Sequence, residues 1–261
     1  MIDTHAHLNF PPLSNQIDTI IKESKKAGLL GIVIASSNLK DSIKAVELAK
    51  KCPDFLYASV GIHPQNTDPQ DNLPIEEQLK NLDSLIANYQ LLITAIGETG
   101  LDFSEAPAGE KNRNHEDQEK LFKSQIDLAK KYKLPLIIHA REAVDEVITL
   151  LGQYQNLNGV FHCYAGGKKR INKVLNLPGE WYFGFDGNLT YDDGLQGIIP
   201  LIPKDRLIIE TDSPFLAPAP RRGETNTPAN LPFIQQKINE ILKKDLTDQV
   251  LQNTKILFNL P

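Results

Sequence analysis

The chain has two cysteines, Cys52 and Cys163, in 261 residues. Two thiols make no disulfide framework, and their scarcity fits a reducing compartment. Long apolar runs are also missing. The longest extends from Leu29 to Ala35 with Gly31 interrupting it, far short of the ~20 residues that a membrane span needs. Asp3, His5 and His7 break the apolar segment that a secretory signal peptide requires. The expectation is a cytoplasmic protein with an unprocessed N-terminus and no membrane contact. Positive charge is not in excess: 28 Lys and Arg stand against 33 Asp and Glu, a net charge of -5. That excludes global attraction to nucleic acid, so any contact with a polyanion has to be local. No low-complexity segment or composition shift marks a linker, and a single domain over residues 1–261 is expected.

What is present is an alternation of short apolar runs with amphipathic segments. Eight runs read as strands: Met1–His5, Gly31–Ser36, Leu56–His63, Leu92–Glu98, Leu136–Ala140, Val160–Tyr164, Tyr182–Gly187 and Leu207–Thr211. Helical patterns fall at Asn15–Ala27, Lys40–Lys51, Ile75–Tyr89, His115–Lys133, Val144–Tyr154 and Arg170–Leu177, with a closing pair at Leu231–Lys243 and Leu246–Leu260. Strand and helix alternating about eight times predict a parallel sheet closed into a (β/α)8 TIM-type barrel. An open doubly wound sheet is the alternative, but no G-x-G-x-x-G follows the first strand. The longest irregular stretches are Ser104–Asn114 and Ser213–Pro232, and long loops in compact domains are often functional.

The polar residues on this frame carry the chemistry. His5 and His7, one residue apart, project from one face of a strand. His63 closes strand three, Glu98 closes strand four, His139 and His162 end strands five and six, and Asp212 follows strand eight. Five of the six histidines lie at carboxyl ends, the face where barrel enzymes build active sites; His115 does not. Singly, each has an ordinary reading: a turn histidine at His63, a loop carboxylate at Glu98, a core histidine at His139, a turn cap at Asp212. Cys163 beside His162 alternates away and reads as small packed core rather than a thiol nucleophile. Together, the histidines and carboxylates exceed one tetrahedral zinc. They suit two divalent ions, such as Zn, Mn, Co or Fe and less selectively Mg, that activate a water.

These residues lie in longer motifs: Asp3-Thr4-His5-Ala6-His7-Leu8, Gly61-Ile62-His63-Pro64, Ile96-Gly97-Glu98-Thr99-Gly100-Leu101-Asp102, His139-Ala140-Arg141, Phe161-His162-Cys163-Tyr164-Ala165-Gly166 and Glu210-Thr211-Asp212-Ser213-Pro214-Phe215-Leu216. With them the chain resembles, nearly end to end, the TatD-type metal-dependent hydrolases, the TatD-related deoxyribonucleases of the amidohydrolase superfamily. The resemblance implies a distorted barrel with two divalent metal ions per subunit. By it, His5, His7 and Asp212 hold one ion, His139 and His162 the other, and Glu98 bridges both. It also implies hydrolysis of DNA phosphodiesters; because a barrel mouth admits a strand end more readily than intact duplex, single-stranded or frayed ends, attacked as by an exonuclease, are the expected substrate. In the mechanism expected on this basis, Asp212 is general base and His63 contacts phosphate or protonates the leaving oxygen. Glu210, two residues before Asp212, orients a ligand from a layer deeper; its ordinary reading is a buried carboxylate paired with a lysine or arginine.

Substrate grip is expected from Arg141 and from Arg222, with Arg221 beside it. Lys168-Lys169-Arg170 reads chiefly as a solvated helix start. Phe103 and Tyr164 are candidates for stacking on a base, with a core role equally open. Thr225 and Thr227 stand where family members often carry a basic residue and a glutamate. This departure leaves the metal ligands intact and bears on the last loop's grip. The insert-like Ala106–Glu110 bears on the mouth of the site. Two other functions compete with a nuclease. One is a small-molecule amide, ester, lactone or acyl hydrolase; the other is a barrel that binds without catalysis. No obligatory protein partner is evident.

Overall fold

The computed structural model describes residues 1–67, 73–106 and 114–261. Most of the Ser104–Asn114 loop, including most of Ala106–Glu110, lies outside them. Eight strands run parallel and in chain order: β1 Ile2–Ala6, β2 Gly31–Ile34, β3 Leu56–Val60, β4 Ile93–Asp102, β5 Leu136–Arg141, β6 Gly159–Phe161, β7 Trp181–Phe185 and β8 Leu207–Ile209. Helices α1 Ile17–Lys26, α2 Leu39–Lys51, α3 Ile75–Tyr89, α4 His115–Tyr132, α5 Val144–Leu151 and α6 Lys168–Leu175 follow the first six strands in turn. The barrel is distorted after β7. There 3-10 turns at Gly187–Thr190, Ile199–Leu201 and Lys204–Arg206, with the single-turn α7 Asp193–Gln196, replace a full helix. Helices α8 Leu231–Leu242 and α9 Thr247–Phe258 end the chain. No helix among the described residues is long and apolar enough to cross a membrane.

Two apolar layers hold these elements. The larger lies between strands and helices and includes Phe122, Ile126, Val147 and Ile234. The smaller fills the barrel interior with one residue from each of several strands: Val33, Ala95, Ile137, Val160 and Ile208 among them. Leu257 and Phe258 of α9 join this interior cluster, while Asn253 bonds the carbonyls of Lys204 and Leu207 where β8 begins. Helix α9 therefore plugs the amino-terminal end of the barrel. Each fully buried aliphatic side chain contributes roughly 1.5–3 kcal/mol. Two positions further along the chain, within β5 and just past the ends of β6 and β8, polar residues follow the apolar ones: His139 after Ile137, His162 after Val160 and Glu210 after Ile208.

Strand ends differ from the sequence expectation in ways that matter. Strands β3 and β6 stop early, leaving His63 and His162 on the loops that follow. Strand β4 does the reverse. It runs four residues past Glu98 and pairs Thr99, Gly100, Leu101 and Asp102 with Ile138 through Arg141. Its register shifts between Ile96 and Thr99. Gly100 has φ 142°, and a Cβ there would sit 2.0 Å from the His139 carbonyl oxygen, so only glycine permits this approach.

Between β1 and β8 the ladder is replaced by individual bonds. His7 N donates to Ser213 O at 2.7 Å and Asp212 N to His5 O at 2.9 Å. The fully buried Asp3 carboxylate accepts from Thr211 Oγ1 at 2.6 Å, Thr211 N at 3.0 Å and His5 N at 3.2 Å. Asp3→Ala strands these three buried donors. We predict a loss of about 3 kcal/mol in urea unfolding carried out with chelator, so that bound metal adds nothing. A loss below about 1 kcal/mol would show that the seam closes without Asp3.

Candidate metal centre

The seam and the strand ends deliver one cluster of buried side chains. His5 Nε2 and His7 Nε2 lie 3.3 Å apart. Both face Asp212 Oδ1, at 3.5 and 3.4 Å, and Glu98 Oε2, at 3.4 and 3.8 Å. The other oxygen of Glu98 faces a second set. Oε1 is 2.7 Å from His139 Nδ1, 2.9 Å from His162 Nε2 and 3.3 Å from His63 Nε2. His139 Nδ1 and His162 Nε2 are 3.5 Å apart, and the His5 and His162 rings stack at 4.1 Å. Every residue expected to hold metal is thus in one cluster, with one carboxylate between two groups of nitrogens.

Protons alone satisfy such a cluster poorly. Two imidazole nitrogens 3.3 Å apart need one donor and one acceptor, yet both also face carboxylate oxygens. The Nδ1 atoms of His5, His7 and His162 are buried and have no hydrogen-bond partner in the protein among the described residues. Such groups are costly unless something else engages the ring. A divalent cation accepts all the convergent lone pairs at once, and imidazole with carboxylate is the donor set that such ions take. Triads of suitable spacing include His5 with His7 and Asp212, and His5 with Glu98 and His162. The residues present therefore fit a metal.

The local fields agree. Burial works against charge on Glu98, but His162 and His63, with hydrogen bonds from His139 and His162, hold it well below the usual carboxylate range. Burial opposes protonation of His162, and the charge of Glu98 overrides it, lifting that imidazole to about 10. His5 is pushed down to about 4 by burial and by the charge of His162. Asp212 is likewise lowered, burial being outweighed by the hydrogen bond from His7.

Hydrogen bonds fix how two rings are presented. Gln65 N donates to His63 Nδ1 at 3.1 Å. His63 Nε2 therefore carries its proton and aims it at Glu98. His139 Nε2 lies 3.0 Å from Asp102 Oδ2, which leaves Nδ1 as the nitrogen turned to Glu98. Asp102 itself is held by Ser104 and Gln65. The sequence reading missed Asp102 as a site residue. With β4 ending at Glu98, Asp102 falls in a loop; its place beside His139 follows from the four extra residues of β4. The signal available was Gly100, a glycine at the point where the strand passes closest to β5.

Other expectations divide. Glu210 is fully buried and faces His162 Nδ1 at 3.8 Å. It has no lysine or arginine partner among the described residues; it accepts from Cys163 N at 2.5 Å and from Thr4 Oγ1 at 3.5 Å. A Cβ on Gly184 of β7 would lie 2.7 Å from its Oε1. Burial pushes its pKa up to about 8. Arg141 lines the cavity above the cluster and is exposed. Arg222 does not line it; its guanidinium sits 4.1 Å over the Tyr191 ring. Lys168 and Lys169 are exposed at the start of α6, as a solvated helix start requires, but Lys168 and Arg170 also line the cavity. Cys163 is not packed core. Its backbone turns left-handed, φ 44°, after the early end of β6, and the residue lines the cavity. Phe103 stacks on His115 at 3.7 Å. Tyr164 is buried with its hydroxyl on Gly167 O. Neither is placed to stack on a base.

The fold and this donor set define a barrel hydrolase dependent on metal. The model of the TatD related DNase family matches residues 2–259, and the chain belongs to that family. It is 31% identical to an uncharacterized metal-dependent hydrolase, YabD, of Bacillus subtilis over all of this chain and 99% of that one. It is 31% identical to a protein of Erwinia tasmaniensis named 3'-5' ssDNA/RNA exonuclease TatD, over the full length of both. The crystal structure of YJJV, a TatD homolog from Escherichia coli, superposes with a TM-score of 0.89 at 25% identity, covering 100% of this chain and 98% of that one.

If Asp102 fixes the ring of His139, removing its charge loosens a ligand without removing one. Asp102→Asn should weaken divalent-metal binding about tenfold by calorimetry, with unchanged circular dichroism. Unaltered affinity would show that His139 is oriented by other contacts.

Proposed function

We propose that this protein is a two-metal phosphodiesterase that shortens DNA from single-stranded or frayed ends. The observation that carries the reading is the division of Glu98: one oxygen faces His5 and His7, the other His139 and His162. Two divalent cations, Zn, Mn or Mg, held there by His5, His7 and Asp212 on one side and His139 and His162 on the other, would acidify a water and offset charge on phosphate oxygens. Asp212, kept ionised by its histidine neighbours, accepts the proton of the attacking water at a carboxylate oxygen. His63 Nε2, which carries a proton, donates a hydrogen bond to a phosphate oxygen. Glu210 steadies His162 from the Nδ1 side, and Asp102 steadies His139. Arg141 at the mouth contacts phosphate.

The cavity supports a polymeric substrate. Its volume is about 1430 Å³, beyond the ~1,000 Å³ upper end of ordinary small-molecule sites. A centre sunk at the strand ends of a barrel accepts an unpaired end more readily than intact duplex. The names carried by several relatives favour the same class of substrate. One catalytic unit over residues 1–261, a cytoplasmic location and no obligatory protein partner belong to this reading. The scarcity of cysteine supports the location. Arg222, over the Tyr191 ring and outside the cavity lining, is a weaker candidate for phosphate than Arg141.

A second reading, a small-molecule ester, amide or lactone hydrolase, draws on the rim. Asp41, Glu142, Glu146 and Asp192 line the cavity against Arg141 and Lys168, while Arg170 is held by Asp145 at 2.6 Å. An acidic rim repels a polyanion. Metal-loaded protein should cleave a labelled single-stranded DNA oligonucleotide. Glu98→Ala and Asp212→Ala should each lose about 100-fold or more, and chelator should abolish cleavage. Turnover of esters or lactones with none of the oligonucleotide would establish the second reading.

A further inference from the structure

The mouth of the cavity has two unlike sides. Its cations, Arg141 at the end of β5 and Lys168 and Arg170 at the start of α6, lie on one side. Phe10, just after β1, and Phe215, just after β8, lie on the other. In a barrel ordered β1 to β8 these are opposite sides, with the histidine and carboxylate cluster between them. Both aromatic rings adjoin that cluster. Phe10 stacks on His7 at 4.7 Å, and Phe215 meets His7 edge-on at 6.0 Å.

Phe215 is 50% exposed. Among the described residues it is the one strongly exposed large apolar side chain that lines the cavity. A lone exposed apolar residue on an outer surface needs no explanation, but this one sits against a polar centre and on fixed backbone. Phe215 N donates to Asp212 O at 2.9 Å. Its carbonyl accepts from Asn226 Nδ2 at 2.7 Å. Asn226 is fully buried, and its side chain also reaches Thr211 O at 2.9 Å. The ring is thus held at the rim by the same turn that presents Asp212. A rigid aromatic with few torsions gives contact area at small entropic cost.

We infer that Phe215, flanked by Phe10, is a stacking platform for the unpaired base of the terminal nucleotide. This rests on the nuclease reading and gives the substrate a direction. The terminal base lies on the β1–β8 side, its phosphodiester lies over the cluster, and the rest of the strand leaves past Arg141 and Lys168. Stacking tolerates any base because each has a π face, so the platform selects for an unpaired end rather than for a sequence. It also reconciles the acidic rim with a polyanionic substrate, because the base contributes affinity that the phosphates do not.

The test compares oligonucleotides whose terminal nucleotide, at the 3′ or the 5′ end, is intact or abasic. Wild type should show a KM about tenfold lower for the intact end that it attacks. In Phe215→Ala that ratio should collapse toward one, and Phe215→Trp should restore it. Phe215→Ala retaining the wild-type ratio, or wild type showing no preference for a base, overturns the platform while leaving the nuclease reading in place. Wild type that cleaves no oligonucleotide but turns over methyl p-nitrophenyl phosphate or a lactone overturns the nuclease reading itself, and the platform with it.

Discussion

The structure turns on one buried carboxylate. Glu98 stands among five imidazoles, all within 3.8 Å of one or other of its oxygens. A carboxylate so deeply buried would ordinarily shed its charge by taking a proton. Here the surrounding nitrogens hold it ionised, and in turn it lifts His162 far above an ordinary histidine. Neither side of this arrangement is stable without the other, because breaking a buried pair leaves an uncompensated charge. A divalent cation at the same place would satisfy both, and the donor set at the top of the core fits one.

Closing the barrel and building the centre are one event. The seam between β1 and β8 is made by His5 O, His7 N, Asp212 N and Ser213 O, with Asp3 bridging to Thr211. Three of the clustered side chains therefore take their positions from the bonds that close the sheet. On the far side, the over-long β4 carries Asp102 to His139, an approach that Gly100 makes sterically possible. Rigid strands on both sides set the separation of the two nitrogen groups, and Glu98 spans it.

Much of this was legible in the sequence, for identifiable reasons. Ligand-type residues at the ends of apolar runs gave the cluster, because a parallel barrel places all carboxyl ends on one face. Glu210 was legible from the period of two along a strand. What could not be read was whatever depends on where a strand stops. Asp102 was hidden by a strand end placed four residues early. Cys163 was misjudged because β6 ends before it and its backbone turns left-handed. Where Arg222 points could not be read, because a loop arginine has several partners within reach; here it lies over Tyr191. For Phe103 and Tyr164 the residue type left stacking and core equally open, and exposure of a ring such as Phe215 depends on loop geometry that no local pattern encodes.

The central claim is that Glu98 lies between two cation sites. Anomalous diffraction from crystals grown with manganese or zinc measures it most directly. Two peaks are predicted, one beside His5, His7 and Asp212 and one beside His139 and His162, with the Glu98 carboxylate between them. A single peak, or a second one away from Glu98, would contradict the account.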